Sequence, residues 1–388
     1  MRVVQIGLRV LLAGWLAWST TGYGAPDAPA SPAASALRKI GILHSTLVAD
    51  HAQEPFYRKA TRLAIQDFRQ ARPETFRSIE IIEADARFDL QRAIQETVRL
   101  ARAGALVIIG GSGSNYALAM AKVCLKYRVP CITHASTHSQ LTENNPYMFM
   151  VLPDNRTMAR AIARFVHDTF PDAPVGVLIR SDSAYSRDMA HHFQASLADL
   201  GHDVHAQFLF GPDTLVVDVV ARMQAARVAV VFAPVTPARM HQVLTYWKRT
   251  GTPFPTFVGG DNWSIPGLRA QINALGIRGY FLSFYDPDAP AWRQFAQKMG
   301  AEPLAVNGYA GAMYDTVQLV LRAVSGAPTG DRRSVLATIR RMDHRGVTGR
   351  IRFQGGNRAV HDMYIFRITT DGVQRVRHIP AHRRGDAM

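Results

Sequence analysis

Short apolar runs alternate with amphipathic stretches along most of this chain, and that rhythm limits what it can fold into. Ile40-Gly-Ile-Leu43 and Ile79-Glu-Ile-Ile82 read as strands. Between them Phe56, Ala60, Leu63, Ala64 and Phe68 recur at helical spacing. Asp89 is placed to cap a helix whose Leu90, Ala93, Ile94, Val98 and Ala101 share one face. Ala105-Leu-Val-Ile-Ile109 is unbroken apolar, as a parallel strand covered on both faces should be. A glycine-rich turn then leads into a helix over 115–127 and a strand over Val129 to Thr133. The rhythm begins again at Asn155, with helices over 155–166, 185–199, 215–225 and 238–249. Strands at 175–179, 204–210, 228–232 and 256–258 lie among them. Strands that alternate with helices form parallel sheets with right-handed crossovers. Two such sets predict an α/β protein of two doubly wound, Rossmann-like lobes.

The remaining residues do not make a third set. Ile277 to Phe284 is strand-like, and 305–325 is a long helix with Ala310, Met313, Tyr314, Val317, Val320, Leu321 and Val324 turned inward. Gly349–Phe353 and Met363–Ile368 alternate as antiparallel edge strands do. These pieces complete the two lobes only if the chain crosses between them more than once, which builds a hinge of several passages. The expected organisation is 38–153 with 284–343 as the first lobe and 154–283 with 344–380 as the second. A length of 388 residues suits two domains.

Residues 1–24 carry Arg2 and Arg9, an apolar core from Val10 to Trp18 and a small-residue exit ending at Gly24. This is the pattern of a cleavable secretory signal, too short to span a bilayer, and export to the periplasm is expected. No Cys follows the apolar core, which argues against a lipoprotein anchor. Residues 25–37, rich in Ala and Pro, read as a flexible leader, and 381–388 as a basic tail. The formal charge is +15, carried almost wholly by arginine since only six of the 45 cations are Lys. Stacking aromatics do not interleave with it, so it reads as a solvated basic surface and no nucleic-acid partner is expected. Cys124 and Cys131 are either bridged, joining a helix end to the next strand, or two buried thiols. Two cysteines without Cys-x-x-Cys spacing give no metal site, and no cofactor is expected.

In open parallel sheets ligands sit at the carboxyl ends of strands, so the loops there carry the chemistry. Gly110-Gly-Ser-Gly-Ser-Asn115 follows one strand; its N–H groups and the hydroxyls of Ser112 and Ser114 suit a carboxylate. It fails the dinucleotide fingerprint at Tyr116, lacks a phosphate-loop Gly-Lys ending and lacks the final glycine of a nucleophile elbow. A tight turn without a ligand is the plain alternative. His134-Ala-Ser-Thr137-His138 follows the next strand, and His44 ends the first. In the second half, Tyr185 offers an aromatic wall or is a packed edge residue. Gly259-Gly-Asp261 places a carboxylate suited to an ammonium or amide, or to capping a helix. Ser114, His134 and Asp261 can be drawn as a hydrolase triad, without an elbow or oxyanion signature to support it.

These features together resemble the type I periplasmic binding proteins, specifically the branched-chain amino acid, amide and urea receptors of ABC importers. The resemblance rests on Lys39-Ile-Gly-Ile-Leu-His-Ser45, Val107-Ile-Ile-Gly110 with Ser114, Val129-Pro-Cys-Ile-Thr133, Ala135-Ser-Thr137, Leu141-Thr142 and Gly259-Gly-Asp261. It implies that Ser114 holds a ligand carboxylate, Ala135 contributes backbone groups, Thr137 a second hydroxyl, Tyr185 an aromatic contact and Asp261 the partner of an ammonium. Ser112 and His44 complete the candidate ligand-binding set. Two departures stand out: Val235 where leucine-type receptors have tyrosine, and His134 where proline is usual. The function implied is capture of a small polar solute, an amino acid of branched-chain or amide-like character, by hinge closure and delivery by a monomer to an inner-membrane ABC permease. The same pocket would serve a periplasmic sensor; a secreted hydrolase would instead show turnover.

Overall fold

The structure, a computed structural model, describes residues 37–45 and 54–381. The expected signal segment, the leader apart from Leu37 and the basic tail apart from Ala381 lie outside the described residues. The first stretch runs β1 (Arg38–His44), α1 (Glu54–Ala71), the short α2 (Pro73–Phe76), β2 (Ile79–Asp85), α3 (Leu90–Arg102), β3 (Val107–Ile109), α4 (Ser114–Tyr127), β4 (Cys131–Thr133) and β5 (Met148–Met150). The second runs α5 (Asn155–Thr169), β6 (Val175–Ile179), α6 (Ala184–Ala198), β7 (Val204–Leu209), α7 (Val216–Ala225), β8 (Val230–Ala233), α8 (Pro237–Thr250), β9 (Thr256–Gly259), α9 (Pro266–Ala274) and β10 (Gly279–Ser283). The last comprises α10 (Pro290–Lys298), α11 (Gly308–Gly326), α12 (Arg332–Arg341), β11 (Asp343–Arg345), β12 (Arg350–Arg352), β13 (Met363–Thr369) and β14 (Gly372–Ile379).

The strands form two large sheets. One has the order β2-β1-β3-β4-β5 and is parallel throughout. The other has the order β14-β13-β10-β9-β8-β6-β7, with β13 and β14 antiparallel at one edge. Continuous apolar runs are buried as expected: every residue of β3, β6 and β8 is inaccessible. Helix α5 starts one residue after its cap, Asp154, whose carboxylate accepts from Thr157 N at 2.9 Å.

Three sequence expectations change. Leu90 of α3 is 45% exposed, and the buried face is Ala93, Thr97, Leu100 and Ala101. Thr97 can be buried because its hydroxyl donates to Ala93 O at 2.6 Å, which a reading of apolar residues alone passes over. Residues 349–353 do not form a sheet edge: β12 pairs with β11 in a separate two-stranded ribbon. That ribbon packs on the first sheet's core, with Ile351 and Phe353 among residues of α11 and the Phe149 and Phe353 rings 5.5 Å apart. Residues 344–360, grouped by sequence with the second lobe, therefore pack with the first. The edge strand β14, mostly basic and polar, has no apolar alternation that predicts it. The question left open about the cysteines also has an answer here: Cys124 and Cys131 are joined, their Cα atoms 6.1 Å apart.

The chain passes between the sheets near residues 152–155, 283–285 and 361–363, since α5 packs under the second sheet and α10 to α12 under the first. The two sheets thus share three backbone passages, and their strand carboxyl ends meet across the junction where the candidate residues lie.

Candidate functional site

On the first lobe, the loops after β3 and β4 are tied together. Thr133 and Ser136 hydroxyls both donate to Gly111 O, at 3.2 and 2.5 Å. Ser112 Oγ lies 3.2 Å from His134 Nε2. Ser114, the first residue of α4, is buried. Ala135 is half-buried, and its amide already faces Thr133 Oγ1 at 3.3 Å, so its carbonyl is the backbone group it still offers. Thr137 accepts through its carbonyl from Asn155 N at 2.7 Å, while its buried hydroxyl has no partner among the described residues. His44 ends β1 with Nε2 3.5 Å from Glu83 Oε1, and that bond holds the Glu83 carboxyl below its ordinary value. His44 is thus engaged with β2, on the flank of the other residues.

On the second lobe, Ser183 caps α6 and sets Tyr185 in its first turn. Tyr185 donates its hydroxyl to Asp261 Oδ1 at 2.6 Å. Asp261 opens a 3-10 turn, Asp261–Ser264, directly after β9. The two glycines before it are needed for close approach. A Cβ at Gly260 would lie 2.2 Å from the Tyr185 hydroxyl oxygen, and one at Gly259 2.0 Å from the Trp263 ring. Asn262 anchors the turn by donating to Val235 O at 2.9 Å.

Asp261 also receives a donor from the other lobe. Tyr309, in the first turn of α11, gives its hydroxyl to Asp261 Oδ2 at 2.7 Å. Asn307 caps that helix through Tyr309 N at 3.0 Å, and its amide donates to the Tyr57 hydroxyl at 3.3 Å. The Tyr57 ring meets the His134 ring edge-on at 5.5 Å. A continuous arc of side chains therefore runs from Ser112 through His134, Tyr57, Asn307 and Tyr309 to Asp261. Tyr309, Tyr57 and Asn307 were not picked out from the sequence. The available signal was Asn307-Gly-Tyr309 at the start of a helix that follows a lobe crossing.

Asp261 is 0% exposed, and no cationic side chain pairs with it among the described residues. Burial pushes its carboxyl above the ordinary value; the two phenol bonds pull it down but do not cancel the effect. Burial and the adjacent carboxylate raise both Tyr185 and Tyr309 well above the ordinary phenol range, so both remain hydroxyl donors. Burial, with His44 nearby, pushes His134 down to about 3, so its imidazole is neutral.

Beside this arc the lobes touch at further points, two of them close to the candidate residues. Asn115, next to Ser114, accepts from Ala184 N at 2.8 Å and donates to Asp182 O at 3.1 Å. Asp188 of α6 accepts from Ser139 N and Ser139 Oγ, both at 2.8 Å, and from Asn155 Nδ2 at 2.9 Å. Ser114 and Tyr185 thus stand on opposite sides of one junction. The triad drawn from Ser114, His134 and Asp261 is not assembled. His134 Nε2 faces Ser112, and both Asp261 oxygens are held by tyrosines.

Comparison with known proteins accounts for this architecture. The sequence model of the periplasmic binding protein family matches residues 39–373. The chain belongs to that family. Comparison with curated proteins gives no match. Among solved structures, a leucine-binding protein of Thermotoga maritima superposes with a TM-score of 0.78 at 19% identity, covering 89% of this chain and 99% of that one. A branched-chain amino acid transporter substrate-binding protein of Streptococcus pneumoniae, in complex with isoleucine, gives 0.76 at 20% identity over 89% and 99%. A solute-binding protein of an ABC transporter from R. palustris, in complex with benzoate, gives 0.75 at 19% over 89% and 97%. The periplasmic binding protein fold of two linked parallel-sheet lobes is therefore that of this chain.

Proposed function

We propose that this periplasmic binding protein captures a free amino acid between its lobes and delivers it, as a monomer in the periplasm, to an ABC permease of the inner membrane. The observation that carries the reading is Asp261. Its carboxylate is wholly buried, meets hydroxyl donors from both lobes and lacks a cationic partner among the described residues. A buried carboxylate without a counter-charge is costly, and a ligand ammonium supplies that charge. Opposite it, the Ser114 and Thr137 hydroxyls and the amides at the start of α4 suit the ligand carboxylate. Charge-assisted hydrogen bonds contribute about 1.5–3 kcal/mol each, and micromolar affinity needs about 8 kcal/mol. A few such bonds and side-chain burial reach that figure after the cost of ordering the partners.

Solved relatives of this fold bind leucine, isoleucine or benzoate, so the fold alone does not choose between a zwitterion and a simple carboxylate. Asp261 favours the zwitterion, because benzoate would bring a second anion into the site without neutralising the first. Calorimetric titration with the common amino acids and with benzoate tests this. Neutral amino acids should bind, benzoate should not compete, and Asp261→Asn should weaken amino acid binding at least a hundredfold. Benzoate binding in preference, or unchanged affinity in Asp261→Asn, would overturn the reading.

A further inference from the structure

The amino acid reading leaves His134 without a role, although its placement is specific. The residue is 2% exposed, at the carboxyl end of β4, between the Ser112 loop and the Tyr57 ring. Ser112 Oγ engages Nε2 and the edge-on contact with Tyr57 fixes the ring plane. Nδ1 is buried and has no partner among the described residues. Three residues on, the Thr137 hydroxyl is buried and likewise without a partner among the described residues. Buried polar atoms in native proteins are nearly always hydrogen-bonded, so two such atoms on one site loop call for a ligand that satisfies them. The amino acid carboxylate accounts for Thr137. It does not account for His134, which lies on the side of the arc that leads through Tyr57 and Asn307 to Asp261.

We infer that His134 reads a neutral hydrogen-bonding group, a hydroxyl or carboxamide, on the side chain of the amino acid ligand, with Ser112 holding Nε2 of the imidazole in either tautomer. This rests on the amino acid reading and narrows it. With the proton on Nε2, that nitrogen donates to Ser112 Oγ and Nδ1 accepts a ligand N–H or O–H. With the proton on Nδ1, Ser112 donates to Nε2 and Nδ1 donates to a ligand oxygen. The Ser112 hydroxyl rotates to serve either arrangement. An aliphatic side chain would leave Nδ1 buried and unpaired, and sites built to hydrogen-bond a ligand group discriminate strongly against analogues that lack it. Burial keeps the ring uncharged, so it offers no counter-charge to an acidic side chain.

Shape-matched ligand pairs separate hydrogen bonding from fit. Threonine against valine and asparagine against leucine should be titrated into the wild-type protein, His134→Leu, His134→Asn, Ser112→Ala and Asp261→Asn. The expected result is that the polar member of each pair binds the wild type at least tenfold more tightly. His134→Leu should bring each pair within threefold, and His134→Asn should retain the preference. Should His134→Leu fail to fold, Ser112→Ala must lower the preference about threefold or more; an unchanged preference there overturns the proposal. Valine and leucine binding as well as or better than their partners, while Asp261→Asn still abolishes binding, would overturn this inference and leave the amino acid reading standing. A polar preference that survives His134→Leu assigns the contact to another residue and also overturns it. Failure of all four ligands to bind the wild type would remove both readings.

Discussion

At Asp261 one carboxylate gathers hydroxyl donors from both lobes, and in the proposed reading it also governs how binding responds to pH. Burial raises its pKa in the folded protein. Between the ordinary and the raised value the folded state holds more protons than the unfolded chain, so this group's contribution to stability falls as pH rises through that window. A ligand ammonium has the opposite preference, favouring the carboxylate. Below the raised value, binding must expel a proton, and affinity for a neutral amino acid should weaken as pH falls, by up to tenfold per pH unit. Titrations in two buffers of different ionisation enthalpy should show proton release at acid pH in the wild type and none in Asp261→Asn. Flat affinity across the acid range would mean that Asp261 does not meet the ligand's charge. The turn that carries Asp261 admits no side chain at 260. Gly260→Ala puts a methyl 2.2 Å from the Tyr185 hydroxyl position, so it should break the bond from Tyr185 to Asp261. The expected outcome is a loss of ligand affinity of tenfold or more with a stability loss of about 1–3 kcal/mol, typical of overpacking. Wild-type affinity in that variant would show that the Tyr185 contact is dispensable. Sequence alone points to Ser112, Ser114, Tyr185 and Asp261 as candidates because each lies in a loop or first helical turn that follows a readable strand. Tyr309 was not legible, because its role depends on α11 returning to the first lobe after 130 residues in the second, which no local pattern records.

The elements themselves were visible where their period was strong and obscured where it was short or polar. Strands β3, β6 and β8 stood out because burial on both faces demands unbroken apolar runs. Strand β14, with Arg375, Arg377 and His378 paired to acids, carries no such signature, while β5 lies in the apolar run Tyr147–Leu152, whose apolarity alone does not separate a strand from a buried helix segment. The ribbon of β11 and β12 misled for a different reason: alternation predicts a strand but not which sheet it joins. Asp315 settles that locally, accepting from the amides of Val347 and Thr348 at 2.7 and 2.9 Å and so fastening the ribbon's turn to α11. The disulfide belongs to this scale as well. It ties the end of α4, where Arg128 takes a left-handed conformation at φ 49°, to β4. In the chain-entropy account, closing so short a loop contributes about 2–3 kcal/mol. The double substitution Cys124→Ala with Cys131→Ala should therefore lower stability by about 2 kcal/mol in denaturant unfolding. Ligand affinity should hold within threefold, because the loop 133–137 is fastened independently to Gly111. A large loss of affinity with little loss of stability would instead make the bridge part of the site.

For the molecule as a whole, the question is what holds two separately folded lobes against one another. Three backbone passages permit rotation without fixing an angle. The Ser139–Asp188 bonds lie beside the first passage, where they act at a short lever arm. Asn115 is different. It crosses the junction between the lobes from the helix carrying Ser114 to the first turn of the helix carrying Tyr185, where Ala184 N is one of the amides an α-helix cannot satisfy internally. Hydrogen bonds of this kind contribute about 1 kcal/mol net each, and exposure at the rim keeps them at the low end. Asn115→Ala should thus raise the dissociation constant roughly three- to tenfold, chiefly through faster release, since the lost bonds exist only when the lobes meet. Folding stability without ligand should change little, because alanine is the better helix former in the first turn of α4. Scattering should show a larger radius of gyration for the variant at subsaturating ligand and the same radius as wild type at saturation. If release rates and radii match wild type throughout, closure is driven by the ligand and by the other contacts between the lobes, Tyr309–Asp261 and Ser139–Asp188 among them, and Asn115 only decorates the rim.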